Sequence, residues 1–231
     1  MSIHFRRQTE KLKKMVLTLG GMVEQALRDA INSLDQRDPE LAQRVIRGDR
    51  QINSTEVEIE EECLATLALH QPVAFDLRYL IAILKMCNDL ERIGDLAVNV
   101  AEQAKFLCSE EEIMHVPYDL TAMASRAQMM LKNALDALVN VDTTLAEGVR
   151  AADRQVDAIY REMFELIEAA MRENPHQLTQ LIHYLQIGRQ IERLADHAVN
   201  IAEDVLYLSN GEFFKKNAGD ENDTIGRIGH A

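Results

Sequence analysis

The chain has 231 residues, 47% of them hydrophobic and 27% charged, with 38 acids against 25 Lys and Arg for a net charge of −13. That profile fits one large or two small globular domains and excludes a wholly disordered chain. The acid excess argues against binding a phosphate backbone through the protein's own surface, which needs clustered Lys and Arg, and invites cations or basic partners.

Pro39, Pro72, Pro117 and Pro175 each fall where the apolar periodicity breaks and so punctuate helices. The segments between them are rich in Leu, Ala, Glu, Arg, Gln and Met, without alternating β-branched runs. This predicts an all-α protein with helices near 3–36, 39–69, 76–108, 118–140, 143–172 and 176–209. The first begins in MSIHFRRQTEKLKK, which has no apolar leader-like run. In its interior Gly20 and Gly21 each cost ~1 kcal/mol against Ala, which suggests a kink or a close helix approach.

Before the third helix, Asp76 follows Pro72 as a candidate N-cap. Within that helix the longest apolar run, Leu80 to Leu84, is closed by Lys85, too short to span a membrane. Cys63, Cys87 and Cys108 lack CxxC spacing and read as reduced thiols of a cytoplasmic protein, not a disulfide scaffold or zinc site. After Val141, Asp142 with Thr143 and Thr144 offers another cap, and the Gly-punctuated stretch after Asn210 reads as a flexible tail.

The chain repeats itself. DLERIGDLAVNVAE (89–102) is answered by IERLADHAVNIAE (191–203), GDRQIN (48–53) by ADRQVD (152–157), and Asp38 with Leu41-Ala42 by Asp142 with Leu145-Ala146. Each unit is three helices, so the expected architecture is two tandem antiparallel three-helix bundles, residues 1–110 and 117–210, with 211–231 as tail.

In the third helix of each unit the apolar residues step by three and four. Ile83, Met86, Leu90, Ile93, Ala97, Val100, Ala104 and Leu107 form one core seam; Tyr184, Ile187, Ile191, Leu194, Ala198, Ile201, Val205 and Leu208 form the other. Glu91 with Asp95 and Glu192 with Asp196 then fall on one helix face, four residues apart and away from the seam. An ordinary solvated face would look the same in one copy; two copies keeping Glu, Arg, Asp, Asn and Glu in register point beyond it. In an antiparallel hairpin, residues equidistant from the turn lie level. Asp49 pairs in height with Asp95 and Asn53 with Glu91 across Pro72; Asp153 pairs with Asp196 and Asp157 with Glu192 across Pro175. Such oxygen-only clusters suit Mg²⁺, Mn²⁺ or iron, with bridging by Arg92 and Arg193 as the plainer rival.

RVIRGDRQIN (44–53), QPVAFDLRYL (71–80), DLERIGDLAVNVAE (89–102) and TLGGMVEQAL (18–27) together resemble the PhoU family of phosphate-transport regulators, over roughly residues 1–214. The resemblance implies two three-helix bundles, a homodimer and no catalysis. It implies a negative regulator of phosphate uptake and of the phosphate-starvation response. Such a regulator links the ATPase subunit of a phosphate importer to a sensor histidine kinase, reaching the membrane only through those partners. Some members hold multinuclear iron on motifs that here fall on Glu91 and Asp95, Glu192 and Asp196, and Asp153 and Asp157. Asn53, four residues after Asp49, departs from the pattern. Glu56 and Glu60 are answered by Tyr160 and Phe164, which makes the two clusters unequal.

Two rivals stand beside it. A ferritin-like carboxylate metalloenzyme would use Glu-x-x-His on facing helices; that spacing occurs at Glu112–His115 and Glu173–His176, both beside turn prolines. A metal-free helical adaptor is the other. His197, answered by Leu96, reads as a residue flanking the seam.

Overall fold

A computed structural model describes residues 3–110 and 119–210. These form α1 (Ile3–Asp35), α2 (Pro39–His70), α3 (Ala74–Ser109), α4 (Leu120–Asn140), α5 (Thr143–Glu173) and α6 (Leu178–Asn210), with a 3₁₀ turn at Pro175–Gln177 and no strand among the described residues. The all-α expectation holds, with helix ends within about two residues of those read from the sequence. The tail 211–231, Pro117 and the Glu112–His115 pair lie outside the described residues.

Part of the sequence repeat is a repeat of helix starts. The Asp38 carboxylate accepts from the amides of Glu40 and Leu41 at 2.9 and 3.0 Å, and Asp142 accepts from Leu145 N at 3.0 Å. Each satisfies amides that have no partner within the helix. Asp119 caps α4 in the same way through Ala122 N. Asp76 does not cap α3. The residue before that helix is Val73, extended and without a side-chain cap, and Asp76 lies in the first turn. There its charge still complements the positive helix end. Gln71, left-handed at φ 44°, closes α2, and α3 begins at Ala74, itself at φ 50°, directly after the extended Val73.

Within each repeat the helices form an up-down-up bundle, α1 against α2 and α3, α4 against α5 and α6; the repeats join through α3 on α6 and α1 on α4. Across α3 and α6, Lys85 meets Asp204 at 2.7 Å, Asp89 meets His197 at 2.7 Å, and Gln103 meets His183. The residue number on one helix rises as the other falls, so the two run antiparallel. Both seams are buried as expected apart from Tyr184, which is only partly covered.

One expectation fails in part. Besides its seam, α3 buries Ala82, Cys87, Gly94, Leu96 and Ala101, and α6 buries Ala195, Val199 and Leu206. These are helices covered on two sides, so the acidic stripe occupies the flank that remains and is not a fully outward face. Gly20 marks a close approach: a Cβ there would stand 2.6 Å from Leu135 Cδ1 of α4, whereas one at Gly21 would meet nothing within 4 Å. Glu173 and His176 are exposed at the end of α5 and in the 3₁₀ turn, which does not give the inward geometry of a ferritin-like centre.

Candidate metal centre

The first cluster sits on the groove between α2 and α3. Gly94, one residue before Asp95, opens that groove: a Cβ there would be 3.1 Å from Ile52 Cγ2 and 3.8 Å from Asp49 Oδ1. Asp49, Asn53, Glu91 and Asp95 are all half-buried. The helix rotation that the sequence fixes only loosely therefore does bring the level pairs to one side.

The electrostatics report the same proximity. Asp49 titrates above its ordinary range, first because burial disfavours its charge and then because Asp95 faces it; the hydrogen bond from Asn53 works the other way. Glu91 is raised by burial, by Asp95 and by Asp49, with Arg92 and His197 opposing. Glu56 is raised by burial and then by Glu60 and Glu91, so these two acids extend the cluster along α2. Crowded carboxylates that cannot all ionise comfortably are the electrostatic signature of a cation site or of a strained surface.

Two features favour a cation. Asp49 Oδ1 and Asn53 Oδ1 are buried and have no hydrogen-bond partner, and buried oxygens of that kind are rare in folded proteins. The donors are also all hard oxygens, the set that suits Mg²⁺, Mn²⁺ and iron. Two features compete. Asn53 Nδ2 donates to Asp49 Oδ2 at 3.0 Å, and Arg92 lies 3.6 Å from Glu91 and 3.5 Å from Asp95. Among the described residues no three His, Cys, Asp or Glu side chains converge on one ion position. Capture at this site therefore requires carboxylate rotation and displacement of Arg92, both cheap on a side chain that is half in water.

The second cluster lies between α5 and α6. Glu192 is pushed up to about 7, by burial first and then by Asp196, Asp157 and Asp153, with Arg189 opposing. Arg193, one residue after Glu192, is exposed. The clusters are unequal as expected. Tyr160, in the place of Glu56, has its hydroxyl raised by burial, with Arg189 opposing and Glu192 adding, and Phe164 in the place of Glu60 is 46% exposed. Gly94 is answered by Ala195, itself buried.

Other groups were not foreseen as neighbours. The Asp89 carboxylate accepts from His197 Nδ1 at 2.7 Å and from Asn200 Nδ2 at 3.2 Å, tying the repeats together beside the first cluster. Nothing in the repeat pattern signals this contact, because it depends on α3 meeting α6. The two buried thiols offer no alternative chemistry: burial pushes Cys63 up to about 12 and raises Cys87 further, and protonated, buried thiols are inert.

The PhoU domain model matches twice, over residues 16–104 and 120–205. The chain is 40% identical over 211 residues to the phosphate-specific transport system accessory protein PhoU homolog of Pseudomonas aeruginosa, covering 91% of this chain and 87% of that protein. It is 35% identical over 227 residues to the Escherichia coli phosphate-specific transport system accessory protein PhoU, covering 97% and 93%. The crystal structure of PhoU from Pseudomonas aeruginosa superposes with a TM-score of 0.87, covering 90% of this chain and all of that one. The phosphate transport system regulatory protein PhoU from Streptococcus pneumoniae superposes at 0.84 and 30% identity, covering 91% and 99%.

Proposed function

Because this chain belongs to the PhoU family, we propose that it regulates phosphate transport as an accessory protein without catalytic activity of its own. In this reading it is a homodimer on the cytoplasmic side of the membrane. It restrains phosphate uptake and the phosphate-starvation response by coupling the ATPase subunit of a high-affinity phosphate importer to a sensor histidine kinase. The observation that carries the proposal is the double family match across both bundles, on relatives named as accessory proteins of a phosphate-specific transport system. Deleting the gene should derepress phosphate-starvation genes in phosphate-rich medium; a normal response would refute the reading.

The acidic clusters add a metal to the proposal. Asp49, Asn53, Glu91 and Asp95 would hold one ion or cluster of iron, manganese or magnesium, and Asp153, Asp157, Glu192 and Asp196 the other. The ion would supply the positive charge that the crowded carboxylates lack. The unpartnered oxygens of Asp49 and Asn53 support the first site, and the raised Glu192 supports the second. Elemental analysis of protein purified without chelator should find metal that the Asp95→Ala, Asp196→Ala double variant loses. Equal, near-zero content in both proteins would leave a metal-free helical adaptor.

A further inference from the structure

α6 stops short of covering the helix on which it lies. Lys85 of α3 meets Asp204 of α6, and Asp89 meets His197 and Asn200, so each residue further along α6 lies level with one residue further back along α3. Followed to its end, α6 brings Asn210 level with Tyr79, while the start of α3 lies further on, at Ala74. The side of α3 that faces α6 can be traced into this uncovered part in steps of three and four. Asp89, Lys85 and the buried Ala82 are succeeded there by Arg78 and Phe75.

Neither residue is satisfied in that position. Phe75 is 42% exposed, although its ring stacks on Tyr79 at 6.3 Å between centroids. The Nε of Arg78 is buried with no hydrogen-bond partner among the described residues, a state that is rare in folded proteins. The second repeat serves as an internal control. At the opposite pole, where the end of α3 meets the start of α6, the residues that correspond to Phe75 and Arg78 are His176 and Thr179, both polar and exposed.

After Asn210 the sequence continues as Gly211, Glu212, Phe213, Phe214, Lys215 and Lys216. Glu212 carries the acceptor that Arg78 lacks, and a guanidinium with a carboxylate makes a strong, charge-assisted pair. Phe213 and Phe214 carry the apolar surface that Phe75 lacks, and the two lysines are opposite in charge to Asp76 in the first turn of α3. The reach agrees. Phe75 lies one turn, ~6 Å, beyond the level of Tyr79, and three or four residues of extended chain span up to ~10–14 Å. A segment tethered this closely acts at an effective concentration of about millimolar, an advantage that a separate protein or a second copy does not have.

We propose that residues 211–216 fold back over the start of α3 and dock on Phe75 and Arg78, continuing the cover that α6 begins. The contact is independent of the regulatory reading. The protein contains no Trp, so Phe213→Trp and Phe214→Trp each place a single indole in the segment. In the full chain at least one of these indoles should emit to the blue of the urea-unfolded protein and be shielded from acrylamide. Adding Phe75→Ser or Arg78→Ala should abolish both the blue shift and the shielding, whereas His176→Ser at the opposite pole should leave them unchanged. Unchanged thermal unfolding of these variants shows that the fold is intact. Dilution should have no effect on the shielding. Free quenching at both reporter positions, or shielding that survives both substitutions on α3, would overturn the proposal. Shielding that disappears on dilution would also overturn it, by assigning the segment to a second copy of the chain.

Discussion

Replacing Glu192 by Gln should stabilise the protein at alkaline pH and leave it nearly unchanged at acid pH. Glu192 titrates near 7 instead of its ordinary 4.5, because burial and three aspartates oppose its charge. Below about pH 4.5 the carboxyl is protonated in both folded and unfolded chains, so it imposes no penalty. Between that point and pH 7 the unfolded chain releases the proton while the folded one keeps it, so stability falls as pH rises; above 7 the penalty is constant. Its ceiling is about 3 kcal/mol, reduced to roughly 1–2 kcal/mol by solvent screening at a half-buried site. Glu192→Gln removes the charge and keeps the shape, so at pH 8 its melting temperature should rise by roughly 3–6 °C, with little rise at pH 5. Thermal unfolding followed by circular dichroism in the presence of a chelator measures both. A variant no more stable than wild type at pH 8, or equally stabilised at both pH values, would refute the argument. Adding Mn²⁺ or Mg²⁺ at pH 8 should raise the wild-type midpoint more than that of the variant, because an ion relieves the same repulsion.

Two further expectations concern the fold. Gly21→Ala, in an exposed helix interior with open space at the new Cβ, should stabilise by about 0.5–1 kcal/mol in urea unfolding. Gly20→Ala should forfeit that gain because Leu135 of α4 must move; equal effects at the two positions would refute the close approach. Asp38→Ala and Asp142→Ala should each cost ~1 kcal/mol, and the double variant about twice that, since the caps belong to separate helices; a loss at one position only would show that the repeated motif is not a repeated cap.

Much of this protein is legible because its elements are long and its repeats check one another. The eight-residue seams of α3 and α6 can be counted off a wheel, and Asp38 and Asp142 identify each other as helix starts. Level pairing across Pro72 places Asp49 beside Asp95, because hairpin height depends only on counting. What could not be counted was rotation and contact between repeats. A heptad names one seam, so Leu96, Ala101 and Val199 do not announce that a second face is covered. His197 with Asp89 was therefore hidden, as was the half-buried state of the acids. Asp76 misleads for a local reason: it is a good capping residue, but α3 already begins at Ala74, after the extended Val73.

The antiparallel meeting of α3 with α6 also says something about ancestry and its release. If each repeat once stood alone, this interface would have been isologous, and every contact would have occurred twice about a two-fold axis. Aligned with a 101-residue offset, Lys85 and Asp204 correspond to Gln186 and Gln103, and Asp89 with His197 corresponds to Gln190 with Leu96. The ion pair thus exists on one side only; Gln103 has found His183 instead, and the Gln190 oxygen is left buried and unpaired. Joining two copies in one chain removes the demand for self-complementarity. The halves become free to specialise, one keeping the acid-rich groove and the other losing two of its carboxylates to Tyr160 and Phe164.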